Sequence, residues 1–157
     1  MYGYRPMPKV PIGVNVDFTG VSVQNGAWTG TPVWTITPNT QQVQPGNNKI
    51  TWTLTTVNTA NPPQNSVPAG YTAGFTSDGI IFKSTNQQAW NSTPTLQSDG
   101  TMQADDNFQG LSQAVNYYYG TKVQLTPNAG TNGVPGTWSA DPDVQNEAGN
   151  IMLAAAN

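Results

Sequence analysis

The chain of 157 residues contains no cysteine and no histidine. Without cysteine there is neither a disulfide nor a thiolate nucleophile. Without histidine, the commonest general base and the commonest transition-metal ligand are both missing. A Ser-His-Asp triad is therefore impossible. No G-x-S-x-G elbow, P-loop or Rossmann glycine set occurs either. Charge is also scarce: only 8% of residues are Asp, Glu, Lys or Arg, against roughly 25% in an ordinary soluble domain. The five basic residues form no stripe, so binding to nucleic acid by phosphate neutralisation is not expected. No run of about 18 apolar residues is available to span a membrane. The opening MYGYRPMPKVPIG has no apolar core of the secretory-signal kind. The chain is accordingly expected to be made in the cytosol and, if it leaves the cell, to leave by lysis, inside a virion or other assembled particle, or by a route that needs no cleaved signal.

Thr, Asn, Gln, Gly and Pro take the place of charge, together with 10% aromatics. Disorder ordinarily needs high net charge and few aromatics, and the net charge here is only −3. The length suits one domain with a real core. A neutral surface of hydroxyls and amides has little self-repulsion, so it tolerates close packing against copies of itself.

Hydrophobic alternation marks strands along most of the chain. In IGVNVDF, Ile12, Val14, Val16 and Phe18 share one face. Gly20 breaks the pattern, and VSV resumes it on the opposite face after a bulge. PVWTITP is a short strand closed by prolines, and TPNTQQVQPGNN is turn chemistry centred on Pro45-Gly46. KITWTLTTV carries Ile50, Trp52 and Leu54 on one face and threonines on the other. YTAGFTSDGIIFKS is two strands or one bent strand, with a hairpin-type turn at Asp78-Gly79. AVNYYYGTKVQLTP places Val115, Tyr117, Tyr119, Val123 and Leu125 on one face. TWSA is a final short strand, and the tail NIMLAAAN forms a helical turn or docks as an apolar strip. About seven short strands with regular turn signals and no amphipathic helix point to an all-β antiparallel β-sandwich. A small barrel or jelly roll remains the alternative. The expected organisation is an extended proline-rich arm over 1–11, a sandwich domain over 12–147 and a C-terminal tail over 148–157.

VQPGNNKITWTL, with a Pro-Gly turn ahead of a tryptophan-bearing strand, resembles the early strands of immunoglobulin-like and cupredoxin-like sandwiches. AVNYYYGTKVQL followed by TWSADPDV is similar to the last hairpin of such domains. The resemblance spans residues 40 to 145 and implies an immunoglobulin-like sandwich of the bacterial or phage type. The cupredoxin branch would imply copper, whose site needs His and Cys ligands that this chain lacks. No cofactor is expected.

Six groups of residues are candidates for function. ADPDVQNEAG holds Asp141, Asp143 and Glu147, the only glutamate. It is either the polar exit of the last strand or an oxygen-only calcium loop. DDNFQG copies the first half of a calcium-binding EF-hand loop but has Asn116 where that loop needs glutamate and no flanking helix pattern, so a solvated turn between strands is the favoured reading. The carboxylates Asp99, Asp105, Asp106 and Asp141 are the available acids for a glycoside-hydrolase pair. Asn91-Ser92-Thr93 matches the N-glycosylation pattern, an expected coincidence in an Asn/Thr-rich chain. Trp28, Trp34, Trp90 and Trp138, with Tyr71 and Tyr118, either stack against sugar rings or fill the sandwich core. Tyr2, Tyr4, Arg5 and Lys9 lie on the proline-stiffened arm, which can dock on a neighbour at low entropic cost. The expected function is a non-enzymatic structural or assembly protein, such as a virion decoration, tail or surface component. Its partners would be copies of itself or other structural proteins, contacted through the arm. The alternative is a carbohydrate-binding or adhesion module with glycan partners and exposed tryptophans.

Overall fold

A computed structural model describes residues 9–37, 40–43, 46–82, 93–108, 115–140 and 150–153. The described residues form twelve strands and no helix. These are β1 (Lys9–Asp17), β2 (Ser22–Gln24), β3 (Ala27–Thr29), β4 (Val33–Thr37), β5 (Thr40–Val43), β6 (Gly46–Thr55), β7 (Tyr71–Phe82), β8 (Thr95–Leu96), β9 (Met102–Phe108), β10 (Val115–Pro127), β11 (Gly136–Ser139) and β12 (Asn150–Leu153). One sheet runs in the order β4-β1-β6-β9-β8. In the second, β10 pairs with β7, β11 and β12, and β12 pairs in turn with β5. The hairpin β2-β3 stands apart. The architecture is all-β and sandwich-like, with a core drawn from the inner faces of both sheets.

The alternation read from the sequence sets the register of the first sheet. Val10, Ile12 and Val14 of β1 lie opposite Ile50, Trp52 and Leu54 of β6. Ile50 and Trp52 in turn lie opposite Ala104 and Met102 of β9. The result is a set of cross-strand rows buried on one face, and a slip of one residue would turn the whole set to solvent. Phe75 and Ile80 of β7 and Tyr119, Val123 and Leu125 of β10 complete the core from the second sheet. Each such side chain contributes roughly 1.5–3 kcal/mol when fully buried.

Several elements differ from expectation. The pairing is mixed: β1 runs parallel to β6, and β12 parallel to β5. Lys9, Val10 and Pro11, expected in the arm, belong to β1 and pair with β6. VSV does not continue after a bulge but enters the β2-β3 hairpin. Its Asn25-Gly26 turn has φ of 52° and 78°, the left-handed pair that a two-residue hairpin needs. TQQV, read as part of a turn, is strand β5. Asp78-Gly79 is not a hairpin turn but part of a bulge within the single strand β7. There Thr76 to Gly79 face Lys122 alone, between the pairs Phe75–Val123 and Ile80–Thr121. The odd insertion keeps both Phe75 and Ile80 pointing inward. ADDNF is not a loop but the body of β9, with Asp105 opposite Lys49 and Asp106 opposite Asn48. An extended backbone bonded to β6 cannot curl around a calcium ion in the EF-hand manner. The tail segment NIML is a strand rather than a helical turn, and it lies between β10 and β5.

The two sheets meet at Trp52. Its ring lies edge-on to Tyr119 at 5.5 Å and tilted against Phe82 at 6.1 Å. The indole N–H is buried with no complete hydrogen bond. It leans toward the Tyr119 oxygen closely enough to favour the ionised phenol slightly, but burial dominates and pushes the Tyr119 hydroxyl up to about 12. The unfolded chain loses that proton near pH 10. A raised folded-state value leaves the stability intact below about pH 10 and removes it as pH rises toward about 12. Wild-type protein should therefore lose about 2–3 kcal/mol of stability between those limits through this one group. Urea midpoints across that range should show the loss, and Tyr119→Phe should remove that part of it; an unchanged alkaline slope in the variant would refute the assignment.

Candidate binding groove at one end of the sandwich

The loop from Thr56 to Gly70, leaving β6 for β7, is organised by its own amides. Asn58 Oδ1 accepts from the backbone N–H of Ala60 and of Gln64, both at 3.0 Å. Asn65 Oδ1 accepts from Val67 N at 3.1 Å and from the Thr56 hydroxyl at 3.2 Å. Asn15 of β1 ties the loop down: its Nδ2 donates to Val57 O, and its Oδ1 accepts from Val57 N. Ser66 Oγ accepts from Phe18 N at 3.0 Å and donates to Thr56 O at 2.8 Å. These side chains stand in for strand partners where the ladder ends.

The turn between β8 and β9 reaches the same end. Gln97 N donates to Thr101 O, and Gly100 N to Gln97 O. Asp99 Oδ1 accepts from both the backbone N–H and the hydroxyl of Thr101, at 3.0 and 2.7 Å. These bonds, the hydroxyl's first, hold the Asp99 carboxyl below its ordinary range. Among the described residues, its second oxygen makes no hydrogen bond.

Between this turn, the 56–70 loop and the start of β7 lies an open groove of about 380 Å³. Thr56, Asn65, Tyr71, Asp99 and Thr101 supply polar groups to its lining, and Leu54, Val67 and Ala73 supply apolar surface. Among the described residues, no Lys or Arg lines it. A smaller pocket of about 200 Å³ lies elsewhere, lined by Lys49 and Asp105 among others. Asp99 and Asp105, two of the acids considered as a hydrolytic pair, thus line different pockets.

Tyr71 joins the groove to an aromatic cluster. Its ring meets Trp28 edge-to-face at 5.0 Å, Trp28 meets Trp138 at 5.3 Å, and Trp138 meets Phe18 at 5.6 Å. The Trp28 indole N–H donates to Val134 O at 2.7 Å. The cluster fastens the β2-β3 hairpin to β11 and to the beginning of β7. Trp28 and Trp138 are half-buried here, and Trp34 is half-buried against the core from β4. Trp28 and Trp138 stand at 79° to each other, so they do not form one flat platform.

Of the other expected residues, Lys9 is exposed on β1, paired with Lys49. Tyr118 is on β10 opposite Asn150. Tyr2, Tyr4, Arg5, Trp90, Asp141, Asp143 and Glu147 lie outside the described residues, as does Asn91 of the glycosylation pattern. Among the described residues, no three acidic side chains gather as metal ligands, and no helix is long and apolar enough to cross a membrane. Sequence reasoning raised Tyr71 and Asp99, the first for stacking and the second as an acid. It passed over Thr56, Asn65 and Thr101. Asp-Gly-Thr at 99–101 carried a readable signal for the Asp99 turn; nothing local marked Asn65, whose position depends on the loop closing over it.

What fold and site define is an all-β protein with a polar groove at one end. No protein-family model matches the chain, and no curated protein matches it in sequence.

Two outcomes test this geometry. A Cβ at Gly136 would stand 2.8 Å from the Trp28 ring and closer still to Trp138. Gly136→Ala should therefore destabilise by about 1–3 kcal/mol and change tryptophan emission; an unchanged melting curve would contradict the packing. Thr101→Val removes the strongest bond to Asp99, so the carboxyl titration followed by NMR should move upward toward the ordinary value. The depressed value favours the native turn above the unfolded carboxylate pKa, and that contribution disappears as pH falls through the folded one.

Proposed function

We propose that this chain is a non-enzymatic structural subunit that assembles with copies of itself or with other structural proteins, and that its sandwich is immunoglobulin-like. The strand order supports the fold. β8-β9-β6 follows the D-E-B order of an immunoglobulin sheet and β5-β12-β10-β7 follows A′-G-F-C, while β1, parallel to β6, stands between β6 and β4, and β11 is an additional strand on β10. The Trp52–Tyr119 contact bridges strands that correspond to B and F, where antibody domains carry their disulfide.

One observation carries the assembly reading: strand β4 is an unguarded edge. Its sequence VWTIT has no charge, and prolines bracket it at positions 32 and 38. It pairs only with β1 among the described residues. Val33 is 63% exposed. Edge strands of monomers are commonly blunted by lysine, by proline, by inward charge, by a bulge or by brevity. Here β7 has its bulge, β8 only two residues and β5 and β11 four each, whereas the five residues of β4 carry no charge and no bulge and have proline only at their flanks. A low net charge opposes self-association only weakly. Pairing of two β4 edges across a two-fold axis would make a closed contact. The N-terminal segment, with Tyr2, Tyr4 and Arg5 ahead of Lys9, is the second proposed contact, adding itself to a neighbouring sheet.

Light scattering on the purified chain tests both contacts. The wild type should be an oligomer. Val33→Lys should lower its mass if β4 is the seam, and deletion of residues 2–8 should lower it if the N-terminal segment is. A wild-type monomer at high concentration would refute the reading.

A further inference from the structure

We propose that the groove between the 56–70 loop and the 97–101 turn is a binding site for a neutral saccharide, engaged by Asp99 and Asn65 with Tyr71 as its aromatic wall. The ligand class matches the one the tryptophans suggested from sequence, but the site is a different one and does not depend on how the chain assembles.

The chemistry of the lining selects the ligand. With Asp99 ionised and no cation among the described residues of the lining, phosphates, nucleotides and acidic sugars are disfavoured. A fatty ligand is disfavoured by the hydroxyls, amide and carboxylate that it would leave unpaired. The free hydrogen-bonding capacity is specific. Asp99 has used one oxygen on Thr101 and presents the other as an acceptor. Asn65 has used its Oδ1 on Val67 and Thr56, and its Nδ2 makes no bond among the described residues. The groove thus offers one charged acceptor and one two-proton donor on backbones already ordered by other bonds. Sugar hydroxyls are both donors and acceptors, so a bound sugar can donate to Asp99 and accept from Asn65. Leu54, Val67, Ala73 and the Tyr71 ring can cover the apolar C–H face of a pyranose. A groove of about 380 Å³ accommodates a mono- or disaccharide. Because the groove is open, binding should be weak, with Kd on the order of 1 mM for a single sugar.

NMR titration with mannose, galactose and N-acetylglucosamine, each used separately on the full chain, tests this. At least one should shift the Gly100 and Thr101 amides and the Asn65 side-chain amide together. Asp99→Asn keeps the oxygen that caps the turn but replaces the free acceptor with a donor. Asn65→Asp keeps the oxygen that holds the loop but removes the donor. Each should weaken binding about tenfold or more while leaving the backbone spectrum otherwise unchanged. Val33→Lys, which addresses assembly, should leave the sugar shifts as they are. Methylammonium chloride is the competing probe: if it shifts these resonances and none of the sugars does, the groove is a cation site and the proposal fails. It fails equally if no sugar shifts them, or if binding survives both substitutions.

Discussion

The inner faces of two sheets without a disulfide are held together only by what they bury, and at the centre of this burial Trp52 meets Tyr119. A tryptophan and a tyrosine bring large apolar area to the contact, and their edge-on geometry at 5.5 Å sets how closely β6 and β10 approach. Ile12 and Met102 flank Trp52 as its partners on the neighbouring strands. A shift of either sheet would therefore disturb every row beside it. The indole N–H left without a full bond is a cost of about 1–3 kcal/mol, which the surrounding apolar burial offsets.

From that centre the structure becomes more polar toward its ends. Beyond Leu54 the β6 ladder runs out, and Asn15, Ser66, Asn65 and Asn58 carry on the hydrogen bonding through side chains. A chain poor in Lys, Glu and Arg orders its long loop in this way, with amides and hydroxyls doing what ion pairs do elsewhere; the salt bridge of Lys122 to Asp78 is exposed at 3.4 Å and so adds little. The same economy of charge leaves β4 uncharged and leaves the described lining of the groove neutral apart from Asp99. The two surfaces are separate, because no β4 residue lines the groove. Association along β4 and recognition in the groove are therefore compatible in one molecule.

Much of the fold was legible in the residues. Alternation over 12–18 and 50–54 named the buried face correctly, and so did Tyr119, Val123 and Leu125, because period two is a local property of an extended chain. Where the reading missed, a non-local partner decided. TQQV has no hydrophobic face of its own to announce a strand, yet β12 pairs with it. ADDNF looks like a solvated loop until β6 bonds along it. The Asn25-Gly26 hairpin is the exception, since its signal was local and was passed over. The groove was legible only in fragments, as Tyr71 and Asp99, because its walls come from segments that sequence alone cannot bring together.

Hydrophobic alternation by itself marked the strands, and composition left this chain no histidine, no cysteine and no basic stripe, since no arrangement of a chain supplies a missing side chain. Alternation also determined which residues face inward on the strongest strands. Tertiary structure alone decided that β1 lies parallel to β6, that Trp28 and Trp138 lock edge-to-face over Gly136, and that Asp99 and Asn65 line one groove. Those outcomes depend on contacts between residues distant in sequence, whose free energy appears only when the chain closes on itself.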